Sequence, residues 1–457
     1  MRPFTTRRRF LQAGAAGAIT GLLAGRRLIG AAATTRSSHG RSQATARPDL
    51  LDATSPKDLE IVQITTDREV PSSHIYMEAQ IFTPDSKRLV LHRSASAHGG
   101  DKNDPKHQYL LCDVEDNFAL HPLTDELGPT GPSLSPDGKC LYYFVDQTEV
   151  GGGRLILKQV NLDGTDRRTI MVLDHPLPGT KFRPSRIYPL STISSDGQRL
   201  AISAFLGDGT MAGATFGLMV FDLKQARVEL VIQGLTWRNM HPQFCRSANP
   251  ELKRDILIQE NHGVEGDAQG KFIRATDRKG VDIHVIRDDG TNLRDLPWGR
   301  DLNERCQGHQ CWRGRTDWAI VSTGLITPAG VRELIESRPL PHVGHVGLAT
   351  PGGVGNMLSR KFTNPCFCHF GVDVAGTRLI SDAGCPYGPQ ARVYVASLGE
   401  PGMDPLTDFK CVACPKISGK GDVHMHPFLS PDGRMGFFHS DESGLIQAYM
   451  VRGFAST

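Results

Sequence analysis

The chain has 457 residues, of which 39% are hydrophobic and 22% are charged, with 49 glycines and 29 prolines. These figures exclude a polytopic membrane protein and a disordered chain, and the many turn-forming residues favour an all-β fold. Residues 1–50 carry nine arginines, no lysine and one acidic residue, which leaves 43 basic and 48 acidic residues in the rest of the chain. Because this main part is slightly acidic, we expect no nucleic-acid partner.

The N-terminal segment has the pattern of an export signal. Arg7–Leu11 (Arg-Arg-Arg-Phe-Leu) precedes a mildly apolar run, Gln12–Gly25, and the small residues Ala31–Ala33 follow. This order resembles a twin-arginine (Tat) signal. The resemblance predicts a signal peptide over 1–33, a linker over 34–56, the Tat export machinery as a partner and a periplasmic or secreted protein. A short membrane anchor is the alternative, but a span needs roughly 20 apolar residues, so we expect no stable membrane span.

A repeat extends over the rest of the chain. Its unit is a turn of the Ser-Pro-Asp-Gly type followed by an apolar strand, because Ser and Asp bond local backbone groups and Gly supplies the positive φ that reverses the chain. The copies lie roughly 51 to 68 residues apart, which is near the length of a propeller blade. Five copies keep the turn and two keep the strand–turn–strand pattern: Phe82–Ser86, Ser133–Gly138, Ile193–Gly197, Val372–Gly376 and Pro427–Gly433, then Phe244–Ile258 and Trp312–Ser322.

The seven copies predict an all-β, seven-bladed β-propeller over residues 57–457. The chain ends on a strand-like run, Ile446–Val451, and Leu59–Thr65 is another strand with no early partner. We therefore expect this N-terminal strand to complete the last blade and to close the ring. Two stacked β-sandwiches are the alternative architecture.

Histidine recurs at one position of the repeat. The residues seven positions before each turn glycine, or its equivalent, are Ala79, Gly131, Leu190, His241, His309, His369 and His426. Four consecutive blades therefore place histidine on the innermost strand, which lines the channel of a propeller. His424 lies two residues before His426, on the same side of an extended strand. A lone buried histidine is usually a hydrogen-bonded core residue, whereas five that the repeat brings together predict a catalytic site or a transition-metal site.

Four motifs resemble those of the oligogalacturonate lyase family. They are Trp237–Phe244 (Trp-Arg-x-x-His-Pro-Gln-Phe), Glu260–Gly263 (Glu-Asn-His-Gly), Gly308–Trp312 (Gly-His-Gln-Cys-Trp) and His424–Pro427 (His-Met-His-Pro). The resemblance implies a seven-bladed propeller that holds a divalent metal, foremost manganese. It also implies a carbon–oxygen lyase that cleaves short acidic oligosaccharides, the oligogalacturonides, by β-elimination and leaves an unsaturated uronate.

Carried over by position, the resemblance implies metal ligands at His309, His424 and His426. The family has a glutamine three residues before the His-x-His pair, where this chain has Gly421. Either Asp422, His369 or a water takes the place of that glutamine, or the affinity and identity of the metal differ.

The resemblance also places Arg238 close to the family's arginine base and His262 close to a substrate-contacting histidine. We predict Arg238 and His262 as catalytic residues and His241 and His369 as substrate-binding residues. An ordinary arginine has a pKa above about 12 and is a poor base, so a base role requires an environment in which losing the proton is less costly. A histidine, His262 or His241, is therefore the rival base.

Two other functions compete with this prediction. The family usually has Cys-His-Glu-Gly where this chain has Glu260–Gly263, and this difference, with the missing glutamine, favours a lyase for a different acidic glycan. The turns by themselves are equally typical of non-enzymatic periplasmic propellers of the TolB type. A scaffold has no need of four histidines at one repeat position, and this pattern favours an enzyme.

Overall fold

The computed structural model describes residues 44–454 apart from 78, 95–101, 213, 276–280, 300–303, 326–345, 353–356, 359–366, 384–390, 401–405 and 419–422. The signal peptide predicted over 1–33 lies outside these residues. In the described part of the chain, strands dominate and helix is confined to two 3-10 turns, Pro48–Leu50 and Leu252–Arg254. No helix in this part is long and apolar enough to cross a membrane.

The first two strands, β1 (Thr45–Ala46) and β2 (Glu60–Gln63), belong to the last blade. Blades 1 to 3 are four-stranded antiparallel sheets whose strands follow chain order. They consist of β3–β6 (Ser73–His74, Arg88–His92, Tyr109–Asp113, Ala119–Pro122), β7–β10 (Pro129–Leu134, Cys140–Glu149, Gly152–Asn161, Arg168–Leu173) and β11–β14 (Arg186–Ile193, Arg199–Phe205, Phe216–Asp222, Arg227–Gly234).

Blades 4 to 6 keep this plan with one insertion. The strands are β15–β20 (Gln243–Phe244, Asp255–Asn261, Val264–Gly266, Phe272–Ala275, Val281–Arg287, Arg294–Asp295), β21–β24 (Glu304–Trp312, Ala319–Leu325, Gly347–Ala349, Met357–Leu358) and β25–β28 (Phe367–Val372, Arg378–Ala383, Arg392–Leu398, Leu406–Ala413). In blade 4 a separate hairpin, β17–β18, lies in the connection between β16 and β19, and blades 4 and 5 are joined where β19 pairs with β21.

The last blade joins the two ends of the chain. Its strands β29 (Phe428–Leu429), β30 (Met435–Ser440) and β31 (Gln447–Arg452) are followed by β2 and β1. β2 pairs antiparallel with β31, with Ile61 opposite Val451. The structure thus confirms the seven-bladed propeller and the closing N-terminal strand. Part of the segment predicted as a linker belongs to the propeller, because β1 pairs with β2 and Leu50 is buried in the core. The propeller therefore begins before residue 57.

The predicted turn chemistry is present between β29 and β30. Ser430 Oγ donates to Asp432 Oδ1 at 2.6 Å and accepts from the Met435 amide at 3.0 Å, and Gly433 has a φ of +68°. These bonds reverse the chain from the innermost strand to the next strand of the blade. The first strands of neighbouring blades lie next to each other, as β7 does with β11 and β25 does with β29. The first strands are therefore the innermost ones.

The closing strand contributes to the core between blades 6 and 7. Ile61 is 2% exposed and belongs to one apolar cluster with Ile380 and Val451. We expect Ile61→Ala to lower the free energy of unfolding by about 2–5 kcal/mol, because the change deletes buried methyl groups and leaves a cavity. Urea unfolding followed by fluorescence measures this loss.

The neighbouring variant Glu60→Ala is the control. The Glu60 side chain is 48% exposed and its ion pair with Arg452 lies on the surface, so its loss should cost less than about 1 kcal/mol. Equal effects of the two changes would contradict a ring that is closed by burial of β2.

Candidate metal centre

Bulges in the innermost strands aim the repeat-position histidines. The pairing register of β21 shifts around His309, and that of β25 shifts around His369. His241 and His426 have positive φ angles of 47° and 40°, and Gly131, at the same repeat position in blade 2, has a φ of 54°. A bulge or a left-handed residue turns its side chain away from the regular alternation of a strand. The shared backbone irregularity lets side chains from different blades face one another.

Four histidines from three blades converge. The ring of His369 lies 4.3 Å from that of His309 and 4.4 Å from that of His426, measured between ring centroids. The ring of His424 lies 5.2 Å from His426 and 5.4 Å from His369. One ligand atom each from His369, His424 and His426 lie within 4.8 Å of one another, and the same holds for His309, Cys368 and His369. His369 is the member that the two groups share.

A buried aspartate orients His369. Asp382, on the neighbouring strand β26, is 0% exposed, and its Oδ2 lies 2.8 Å from His369 Nδ1. Its Oδ1 accepts the backbone N–H of the same histidine, also at 2.8 Å. The carboxylate acts as acceptor and therefore fixes the proton of His369 on Nδ1, which makes Nε2 the nitrogen available to a metal. Histidines that bind a metal typically donate the N–H of their other ring nitrogen to a carboxylate such as this one.

Burial keeps His309 and His241 neutral. Burial, followed by the proximity of His369, His241 and His424, holds the pKa of His309 well below its ordinary value. Burial, followed by His369, lowers the pKa of His241 to about 3. Neutral imidazole is the form that binds metal. Imidazole nitrogens suit a divalent transition-metal ion.

The structure places all three predicted ligands, His309, His424 and His426, in this cluster. Gly421 and Asp422 lie outside the described residues. Of the two side chains considered for the place of the family's glutamine, His369 is the one whose position the structure gives. Its location within both groups favours a ligand role over the predicted substrate-binding role.

We expect Asp382→Asn to weaken divalent-metal binding by about 10–100-fold, because the amide no longer supplies the negative charge that raises the basicity of His369. Equilibrium competition against a chelating dye measures the affinity. Asp432→Asn is a matched control, since Asp432 lies in a turn between β29 and β30 and bonds Ser430. An unchanged affinity in a folded Asp382→Asn protein would contradict the orienting role.

His241 lies at the border of the cluster. The Tyr76 ring is 5.0 Å from His241 and 4.5 Å from His426, and it is 2% exposed. On the other side, the Tyr188 ring lies 6.4 Å from His241. His241 is therefore near both the histidine cluster and Tyr188.

Arg238 lines a cavity of about 350 Å³ that Tyr188 also lines. Its guanidinium lies 5.6 Å from the ring of Phe216 and 5.5 Å from that of Phe272. Burial, and to a lesser extent the positive charge of Arg186, lower the pKa of Arg238. Arg186 lines the same cavity. Two cations and several aromatic rings suit an acidic sugar.

His262 is engaged elsewhere. Its Nε2 lies 2.8 Å from Asp282 Oδ2 and its side chain is 7% exposed. The described residues that line the Arg238 cavity include its neighbours Asn261 and Val264 but not His262 itself. The structure thus brings Arg238 and His241 to the region of Tyr188 and leaves His262 in a separate pair with an acid.

Sequence reasoning missed several residues of this region. Asp382 and Tyr76 have no local signal, because Asp382 lies on the neighbouring strand β26 and Tyr76 comes from blade 1, in the segment after β3. Arg186 and Tyr188 alternate along β11, and their spacing of two residues predicts that they share a face, which is the signal that could have found them.

The comparisons with known proteins agree with the fold. No protein-family model matches the chain, and no curated protein is similar to it in sequence. Among solved structures, an oligogalacturonate lyase in complex with manganese is similar, with a TM-score of 0.63 and 19% identity over 91% of this chain and 98% of the other.

The oligogalacturonate lyase of Vibrio parahaemolyticus is similar as well, with a TM-score of 0.63 and 15% identity over 91% of this chain and all of the other. At these identities the likeness shows that the chain shares the propeller fold of these lyases along nearly its whole length.

Proposed function

We propose that the protein is a metal-dependent lyase that cleaves short uronate-containing oligosaccharides, oligogalacturonides foremost, by β-elimination. One juxtaposition carries the proposal. His309, His424 and His426 belong to two groups of ligand atoms that share His369. His241 and Tyr188 lie near these groups, and Tyr188 lines a cavity with two arginines, Arg186 and Arg238. The fold shared with two oligogalacturonate lyases supports it.

The residues that would hold the metal are His309, His369, His424 and His426. A divalent ion there, manganese foremost, would act as a Lewis acid on the carboxylate of the uronate. His369 takes the place of the family's glutamine in this proposal, and Asp382 keeps its ring in position. His241 contacts the substrate from the border of the cluster.

The two arginines have different roles in this proposal: Arg186 stabilises negative charge and Arg238 is the base. The proton at C5 of a uronate is weakly acidic, so the negative charge that develops on the carboxylate needs stabilisation, and the Arg186 guanidinium supplies a fixed cation in the cavity. In its deprotonated form Arg238 takes the proton from C5, the bond between C4 and the leaving oxygen breaks as the C4–C5 double bond forms, and the leaving oxygen takes a proton from water. Its burial and the nearby charge of Arg186 lower its pKa, which is the direction that a base requires.

The test is a metal-dependent assay. The purified protein is stripped with a chelator, reloaded with Mn²⁺ and incubated with short oligogalacturonides and, in parallel, with oligomers of other uronates. We expect the ultraviolet absorbance of an unsaturated uronate to rise with metal and not without it, and the substrate panel identifies the glycan. No rise on any uronate with metal bound would overturn the proposal and favour a non-enzymatic propeller of the TolB type.

We also propose export by the Tat route to the periplasm or beyond, on the strength of Arg7–Leu11. Arg7→Lys combined with Arg8→Lys should leave the precursor unprocessed in the cytoplasm, because the Tat receptor reads the arginine pair. Fractionation and immunoblotting measure this, with Arg26→Lys as the control outside the motif. Normal export of the double variant would point to another route.

A further inference from the structure

A second cluster of metal-ligating side chains lies in blade 4, on β16 and β19. Glu260 is paired with Asp282 across the antiparallel ladder, and His284 is paired with Ile258. Side chains two residues apart on a strand share a face. The two motifs Glu-x-His, at 260 and 262, and Asp-x-His, at 282 and 284, therefore bring two carboxylates and two imidazoles to one face of the blade.

The donor atoms have the spacing of a metal site. His262 Nε2 lies 2.8 Å from Asp282 Oδ2 and 3.5 Å from Glu260 Oε2, and His284 Nε2 lies 3.3 Å from the same Glu260 oxygen. Ligands at about 2.0–2.1 Å from a tetrahedral ion are about 3.4 Å apart. The ligand atoms of Glu260, His262 and Asp282 lie within 4.8 Å of one another, and His284 lies outside this group and approaches it at Glu260. Three ligands are therefore close together, and His284 reaches an ion among them when its ring moves inward.

His284 is oriented for this purpose. Its Nδ1 lies 2.8 Å from Asp295 Oδ1, which fixes the proton on Nδ1. Its Nε2 is buried, makes no hydrogen bond and faces the carboxylate of Glu260, in a side chain that is 90% buried. The other oxygen of Glu260 accepts a hydrogen bond from Thr236 Oγ1. A buried imidazole nitrogen that faces a carboxylate oxygen is stabilised by a positive charge between them, which a proton or a metal ion supplies.

We propose that Glu260, His262 and Asp282 form a second divalent-metal site, suited to Zn²⁺, in which His284 closes onto the bound ion as the fourth ligand. Two carboxylates neutralise the ion, and Asp295 and Thr236 orient the ligands from behind, as outer partners do in metal sites. The site is distinct from the histidine cluster and does not depend on the proposed lyase activity. It gives His262 a ligand role in place of a role as base.

The site would hold one wall of the Arg238 cavity in place. Asn261, between Glu260 and His262, lines that cavity and donates from Nδ2 to the backbone carbonyl of Arg238 at 2.5 Å. A four-ligand metal site that spans β16 and β19 stabilises this end of the blade, because binding to the folded state alone adds to its stability.

The decisive experiment counts zinc in a protein that lacks the other site. The full chain with His424→Ala and His426→Ala is stripped, exposed to Zn²⁺, freed of excess and measured by elemental analysis. We expect one zinc per chain, and none when His284→Gln and Asp282→Asn are added. Asp289→Asn, in an exposed turn of the same blade, is the matched control and should keep the zinc. Zinc should also raise the melting temperature of the His424/His426 variant and not that of the quadruple variant.

The absence of zinc from a folded His424→Ala/His426→Ala protein would overturn the proposal, and the cluster would then be an ion-pair network with protonated histidines. If the quadruple variant does not fold, calorimetric titration of the unmutated, metal-free protein with Zn²⁺ decides: two equivalents support the second site and one equivalent contradicts it. Neither result depends on lyase activity, so the failure of this proposal and that of the proposed function are separate outcomes.

Discussion

Replacement of His424 and His426 together by alanine will remove one equivalent of bound divalent metal and abolish metal-dependent turnover. Both side chains lie in the group that shares His369, with their ligand atoms within 4.8 Å of one another. Loss of two of four imidazoles leaves too few donors to hold an ion against water. Elemental analysis of the reconstituted protein measures the loss, and it should be seen for His309→Ala as well.

His175→Ala is the control for this change. The His175 side chain is 63% exposed and contacts Asp174 on the surface, so both metal content and turnover should be unchanged. An undiminished metal content in the His424/His426 variant would show that the ligand assignment is wrong.

Arg238→Lys will lower kcat by about 10²–10⁴-fold, which is the contribution of a positioned general base. The ammonium group that replaces the guanidinium differs in shape and position, and it loses the planar contacts with Phe216 and Phe272. Steady-state kinetics separate this role from simple binding of the carboxylate, which would mainly raise KM and spare part of kcat. Arg227→Lys, on the exposed edge of β14, is the control.

The pH dependence gives a second measurement of the same residue. An arginine base predicts activity that increases towards alkaline pH, because the reactive form is the deprotonated one. A histidine base predicts an acidic limb at about pH 6 to 7. Such a limb that disappears in His262→Ala, while Arg238→Lys still turns over, would contradict the arginine assignment.

The blades were predictable from the sequence because each one begins with a local signal. The turns at Ser133–Gly138 and Pro427–Gly433 combine a cap, a tight turn and an apolar strand within a few residues. The closing strand followed from a strand without a partner at each end of the chain. The extent of the propeller was less predictable, since β1 lies in a segment whose composition is that of a linker.

The histidine cluster was predictable in membership but not in geometry. The repeat alignment places His241, His309, His369 and His426 at one phase, and the structure brings the last three together with His424. The bulges that aim these side chains have no signal in the hydrophobic pattern, because one extra residue in a strand leaves the composition unchanged. The role of Asp382 could not be predicted for a different reason: its contact with His369 depends on which strands pair with each other.

His262 shows the limit of a motif. Its segment, Glu260–Gly263, lies beside the Arg238 cavity. The alternation of side chains along the strand directs Asn261 to the cavity and His262 to the opposite face, where it contacts Asp282 on β19. One-residue shifts of this kind reverse the face to which a side chain points. A motif therefore locates a segment more reliably than it assigns a role.

The most direct test of the central claim is the chemistry of the product. The manganese-loaded protein is incubated with trigalacturonate in water enriched in oxygen-18, and the fragments are analysed by mass spectrometry beside those from the His424→Ala/His426→Ala protein. β-Elimination predicts one unsaturated fragment, no incorporation of the heavy oxygen at the cleaved bond, and no cleavage by the variant. Fragments that are saturated and carry oxygen-18 would demonstrate hydrolysis and contradict the account.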